Sequence, residues 1–219
     1  IFTNGAQGDL NHVNVHPTGG YLNDMFIDFD DVARGYKHAQ YMARVVTGGV
    51  MQCFDKVQYV DIENLRFLQR TIQVGANKCD PSELPEAQYI QDMHLAGRDD
   101  ELPYKGMMLT TKVAEAARKL RLADGPDYFD LLLSGIALDN IALIGIPGEP
   151  FMGVGKGLKE TEGWDLVIPS CLTNGDIGYF PMMDAYIEGG YEAGSSPFKA
   201  GTAEQIIAEG RILMNQMKA

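Results

Sequence analysis

Glu149 is the residue in this sequence with the clearest claim to chemistry. It lies in the segment IALIGIPGEPF, residues 141–151, after the apolar run Ile141–Ile144 and the backbone-breaking Gly145, Pro147 and Gly148. An unbroken apolar run reads as a strand buried on both faces. Open α/β sheets bind their ligands beyond the ends of such strands, so a charged group there is a candidate site. The same carboxylate would also suit the N-terminus of the helix that the following Gly-rich segment can start. Both readings remain open at this point.

Two irregular stretches are the other candidates. The first, NGAQGDLNHVNVHPTGGYLND, covers residues 4–24, and its Gly8-Asp9 pair suits a tight turn that exposes the residues after it. The second covers 171–201 and holds Tyr179, Tyr186, Tyr191 and Phe198 among many glycines. Tyr-rich and Gly-rich loops supply rigid amphipathic contacts to a ligand. The plain alternatives are a simple connection and tyrosines that cover the domain edge. His12 and His16 stand four apart, a spacing that means little off a helix, and Cys53, Cys79 and Cys171 have no metal-type spacing and allow at most one disulfide. No P-loop, GxGxxG, HExxH, GxSxG or CxxC pattern is present.

These candidates need elements to position them. Helices are expected over 29–47, ending at Gly48-Gly49, over Glu83–Ala96 after a capping turn at Asp80, over Thr110–Leu122, from Phe151 to Lys159, and over Thr202–Met217 with Thr202 as cap. Extended segments are expected at Ile1–Thr3, within 56–74, over Tyr128–Ile146 as two strands joined at Asp139-Asn140, and at Trp164–Ile168. The pattern is α/β, a mixed sheet flanked by helices, within a single domain over 1–219.

Composition narrows the function classes. The 219 residues are 45% apolar, enough for a sizeable core. A net charge of −12 argues against nucleic acid or an anionic membrane as the main partner. No apolar run reaches transmembrane length. The chain opens at Ile1 without a methionine, so it is expected to begin partway through something longer.

Three pieces, in order, resemble the neutral ceramidase family. GAQGDLN over Gly5–Asn11 resembles its Gly-Asp-x-Ser-Pro segment, IPGEPF over Ile146–Phe151 its Pro-Gly-Glu segment, and GYFPMMDAYIEGGYE over Gly178–Glu192 its Tyr-rich segment ending in Tyr-Glu. The resemblance implies half of a larger α/β hydrolase-type domain, the C-terminal half of a catalytic domain that hydrolyses an amide bond in a small-molecule or lipid-like substrate. It implies a zinc ion with Glu149 and Tyr186 as two ligands, and two histidine ligands from a missing N-terminal half or equivalent chain. A carboxylate and a phenolate are hard oxygen donors suited to zinc and to a bound water of lowered pKa. Asp9 and Asn11 fall on the catalytic Gly-Asp segment, with Asn11 where the family has its serine. Asparagine is no nucleophile, although its amide can polarise a carbonyl or hold a water. Phe198 stands where the family has a catalytic tyrosine. With Tyr179 and Tyr191 it is assigned to substrate binding. These departures keep a non-catalytic relative that binds a glycan or lipid head group as the alternative. The resemblance also implies a secreted or periplasmic location.

Overall fold

The structure, a computed structural model, describes residues 2–11 and 36–218, with no side-chain description for 36–39. His12, His16 and the first turns of the helix expected over 29–47 lie outside these residues. The chain divides into two compact units, one of residues 11–61 and one of residues 1–10 with 62–219.

In the smaller unit, helix α1 runs Tyr36–Phe54, and its described side chains are exposed throughout. The expected stop at Gly48-Gly49 does not occur. Glycine ends a helix by taking a left-handed conformation, and neither glycine has positive φ. Two interior glycines weaken a helix without terminating it.

The larger unit is a mixed α/β structure. Strands β1 (Leu65–Gly75), β2 (Tyr128–Leu138), β3 (Ile141–Gly145) and β5 (Leu166–Ser170) form one sheet in the order β1-β2-β3-β5. The first two pairings are antiparallel and β3–β5 is parallel. The turn at Asp139-Asn140 forms as expected, with Asp139 at φ 48 and its carboxylate accepting from the Glu63 and Asn64 amides. Val57–Val60, expected as extended sheet, carries no strand. Strand β1 begins at Leu65, the partner of the last residue of β2, so pairing rather than β propensity sets its start.

Helices α4 (Met152–Lys159) and α7 (Thr202–Met217) pack on one face of this sheet. There Ile72, Val74, Leu131, Leu133, Ile144 and Val167 meet Leu158, Ile206, Leu213 and Met214 in the main core. Gly201, at φ 96, takes the N-cap position of α7 that was expected for Thr202. The Thr202 hydroxyl instead donates to the Lys199 carbonyl at 2.8 Å. Helices α2 (Leu84–Leu95) and α3 (Gly106–Ala123) share a second core around Ile90 and Met93, and Asp80 with Glu83 forms the capping box before α2.

Strand β3 corrects one expectation. Ala142 and Ile144 are fully buried, whereas Ile141 and Leu143 are only half-buried. Among the described residues the run is therefore fully covered on one face and partly on the other, because α4 and α7 both lie on the same side. The stretch 171–201 is less irregular than its composition suggests. It contains β6 (Tyr179–Phe180), α5 (Met183–Glu188) and α6 (Tyr191–Ser195), and β6 pairs in parallel with a two-residue strand β4 (Glu149–Pro150).

Candidate active site around Glu149

Glu149 is carried by backbone that is tied down on several sides. Beyond β3, the Ile146 amide donates to Ser170 at 2.8 Å and the Gly148 amide to Gly175 at 3.0 Å. Gly148 then turns with φ 99, a conformation that L side chains rarely adopt, and its Cα faces the Gly178 carbonyl so closely that no Cβ would fit. The Glu149 amide donates to Gly178 at 2.9 Å, which starts the β4–β6 pair.

The N-terminal segment closes on this turn from the other side. The Gly8 amide donates to the Pro150 carbonyl at 2.9 Å, and Gln7 Nε2 donates to Glu149 Oε2 at 3.1 Å. Asp9 Oδ1 accepts from the Met152 amide at 2.7 Å, at the first residue of α4. The helix-capping carboxylate is thus Asp9, and Glu149 is left to face Gln7 and Tyr179. The turn expected at Gly8-Asp9 forms, closed by the Leu10 amide donating to Gln7 at 2.9 Å.

Tyr179 stands beside Glu149 because the two are register partners in adjacent parallel strands. Burial, the Glu149 charge, and then Tyr191 and Glu192 push the Tyr179 hydroxyl up to about 12, so it stays a hydrogen-bond donor. Its ring meets Tyr191 edge to face, with centroids 6.1 Å apart. Cys171 is buried nearby, and burial followed by the Glu149 charge raises its thiol. Cys53, Cys79 and Cys171 are all free thiols.

The three residues assigned to substrate binding, Tyr179, Tyr191 and Phe198, line one groove of about 610 Å³ together with Leu122, Phe129 and Ile177. Exposed Arg121 and Asp130 also border it. Phe198 is 1% exposed, stacks on Phe180 with centroids 4.8 Å apart and meets Phe129 edge to face. A hydroxyl would be poorly accommodated between those rings, which gives phenylalanine a packing reason there.

Tyr186 has a different environment. Its hydroxyl donates to the Phe198 carbonyl at 2.6 Å and lies 3.2 Å from Ser196 Oγ. Fully buried Ser196 in turn donates to the Tyr179 carbonyl at 2.9 Å. Burial raises the Tyr186 hydroxyl, and its charged neighbours are Arg118 and Glu204. Buried Arg118 reaches from α3 to the Gly194 carbonyl at 2.8 Å. Tyr186 therefore ties α5 to the Ser196–Phe198 backbone. The phenol at Glu149 is Tyr179.

Asn11 is exposed and belongs to the smaller unit. Among the described residues, no three His, Cys, Asp or Glu side chains cluster in a way that would hold a metal. No helix among them is long and apolar enough to cross a membrane. Gln7 escaped sequence reasoning. It lies inside the GAQGDLN segment, but no rule singles out a glutamine whose partner is 142 positions away.

No family model matches the chain, and no curated protein matches it. Among solved structures it is similar to a neutral ceramidase from Pseudomonas aeruginosa, with 14% identity and a TM-score of 0.44, over 94% of this chain and 36% of that one. It is also similar to a ceramidase complexed with C2, with 17% identity and a TM-score of 0.36, over 42% of this chain and 16% of that one. The chain thus spans little more than a third of the longer match. Likeness at these values carries no argument about the site.

Proposed function

We propose that this chain carries part of a hydrolytic site of the neutral ceramidase type, acting on an amide or ester bond in a small-molecule or lipid-like substrate. One observation supports this most. The Gly-Asp segment, the Pro-Gly-Glu segment and the Tyr-rich segment, far apart in sequence, meet around the Glu149 carboxylate.

In this reading the groove beside Tyr179 holds the apolar part of the substrate, and Gln7 fixes the rotation of Glu149. Glu149 takes a proton from a water as its oxygen attacks the acyl carbon, then returns that proton to the leaving amine or alcohol. Tyr179, still protonated, donates to the carbonyl oxygen as negative charge develops. Asp9 positions the turn through α4 rather than touching substrate. Zinc dependence, which the resemblance implies, would draw on Glu149 and Tyr186 from this chain, with the Tyr186 hydroxyl giving up its proton to the metal site, and on histidines from another segment or chain. Equilibrium dialysis against zinc, with Glu149→Gln and Tyr186→Phe compared, tests that part separately.

The main test is turnover of a panel of N-acyl amides and esters. Glu149→Gln is expected to cost about 100-fold or more in rate, the usual size of a general-base contribution. Unchanged turnover in that variant would refute the assignment. The aromatic groove favours a second reading, a binding protein for a glycan or lipid head group. Saturable binding without turnover, unaffected by Glu149→Gln, is its signature.

A further inference from the structure

Arg118 is a cation in the interior of the larger unit. It lies on α3, 6% exposed, one helical turn before Leu122 and on the same face of the helix. Burial pulls its guanidinium below the usual arginine value, against the attraction of Glu115. Among the described residues no carboxylate forms an ion pair with it, and Glu115 is itself held by Lys112 and Lys119. Its acceptors are two backbone carbonyls. Nε donates to Gly194 at 2.8 Å, and Nη1 donates to Asn77.

Those two carbonyls lie on separate segments, and both segments lead to the groove beside Tyr179. Gly194 is in the last turn of α6, where backbone carbonyls have no partner within the helix. Tyr191 and Ser195 of the same helix line the groove. Asn77 follows β1 and holds the segment after α6 twice. Its amide donates to the Pro197 carbonyl at 2.8 Å, and its side-chain Nδ2 donates to the Ser196 carbonyl at 3.1 Å. The Ser196 hydroxyl passes the contact on, donating to the Tyr179 carbonyl at 2.9 Å. From Arg118, one line of contacts thus reaches Tyr191 through α6, and another reaches Tyr179 through Asn77 and Ser196.

A buried cation is costly, and an apolar side chain would fill the same space without that cost. What an apolar side chain lacks is a planar fork of donors, which holds two acceptors at a set angle. A lysine ammonium lacks it too. We propose that Arg118 is a positioning residue: its guanidinium brackets the end of α6 against the segment after β1, and so sets the Tyr191 and Tyr179 rings at the spacing the groove requires. As a role in turnover this rests on the reading that the groove receives the apolar part of a substrate. The spacing of the two rings does not depend on that reading.

Arg118→Lys keeps the charge and loses the fork, and two measurements on the full chain read its effect. The first is the nuclear Overhauser contact between the Tyr179 and Tyr191 rings, whose centroids lie 6.1 Å apart edge to face. The second is turnover of the panel of N-acyl amides and esters. In Arg118→Lys the ring contact is expected to be lost, and kcat/KM to fall about tenfold or more, because small displacements of positioned groups are costly in rate. Asn77→Ala is the milder variant. It leaves Arg118 and both carbonyls in place, removes only the Nδ2 bond to Ser196, and should weaken the same ring contact. A folded Arg118→Lys chain with the wild-type ring contact would refute the bracket. Loss of the contact with unchanged turnover would refute its part in the site. If Arg118→Lys does not fold, Asn77→Ala decides, and an undisturbed ring contact there overturns the proposal. A wild-type chain that hydrolyses nothing counts against the hydrolytic reading alone, and the ring contact still decides on Arg118.

Discussion

Replacing Gly8 with alanine tests whether the N-terminal segment holds the Glu149 turn in place. A Cβ built on Gly8 would lie 2.5 Å from the Glu149 carbonyl oxygen and 3.1 Å from Phe151 Cδ1. The first contact is with backbone bound into the β4–β6 pair, which cannot yield as a flexible side chain would. Gly8 must withdraw instead, and two interactions go with it. Loss of the Gly8–Pro150 hydrogen bond costs about 1 kcal/mol, and loss of the Asp9 cap on α4 about 1 kcal/mol. Residual overpacking adds about 1 kcal/mol or more. The expected loss is about 2–4 kcal/mol, combining these terms. Gly5→Ala is the internal control. Its added Cβ would meet nothing nearer than the Pro169 carbonyl oxygen at 4.0 Å, so it should be nearly neutral. Urea unfolding of the two variants measures the difference as a midpoint shift at constant slope. If Gly8→Ala unfolds at the same midpoint as Gly5→Ala, the segment does not clasp the turn and the account of the site is wrong.

Two further outcomes follow from the tyrosines. Tyr186→Phe should cost about 1–3 kcal/mol, because it strands the carbonyl of buried Phe198 without its donor; thermal unfolding reads this, and an unchanged midpoint would place the Tyr186 hydroxyl elsewhere. Spectrophotometric titration should show tyrosine ionisation extending to about pH 12, with the Tyr179 contribution lost in Tyr179→Phe and the remaining late signal, from Tyr186 that burial also raises, lost in Tyr186→Phe. Glu149→Gln should lower the Tyr179 titration, since the carboxylate charge is the second cause of the shift. The raised folded value means that the associated stability is complete below the unfolded value near 10 and is lost as pH climbs toward 12. Stability that instead rose over that interval would contradict the assignment.

Local signals made part of this structure legible in the sequence. Asp139-Asn140 between two apolar runs signals the β2–β3 hairpin, the turn over Cys79–Ser82 signals the start of α2, and Glu149 lies at a strand exit, where a candidate site is expected. What failed was non-local. Gly48-Gly49 looked like a stop, but stopping depends on a backbone angle that composition does not set. The two-residue strands β4 and β6 are too short to carry any periodicity, so the pairing that sets Tyr179 beside Glu149 was invisible. The cap of α4 was sought next to the helix and comes from Asp9, 143 positions earlier. Spacing alone likewise could not show that Tyr186 turns to the Phe198 carbonyl while Tyr179 takes the position at the carboxylate.

That distant cap has a bearing on how the molecule acquires its site. The hairpin of β2 and β3 and the helix pair α2–α3 are local structures that can form early, whereas contacts spanning most of the polymer must await closure of a very long loop. Gln7, Gly8 and Asp9 are thus expected to dock late, onto a turn that the sheet has already shaped. A chain shortened by its first ten residues is expected to keep its sheet and the β4–β6 pair while Glu149 loses its Gln7 contact and α4 its Asp9 cap, so that the geometry at Glu149 and global stability are lost in separate steps.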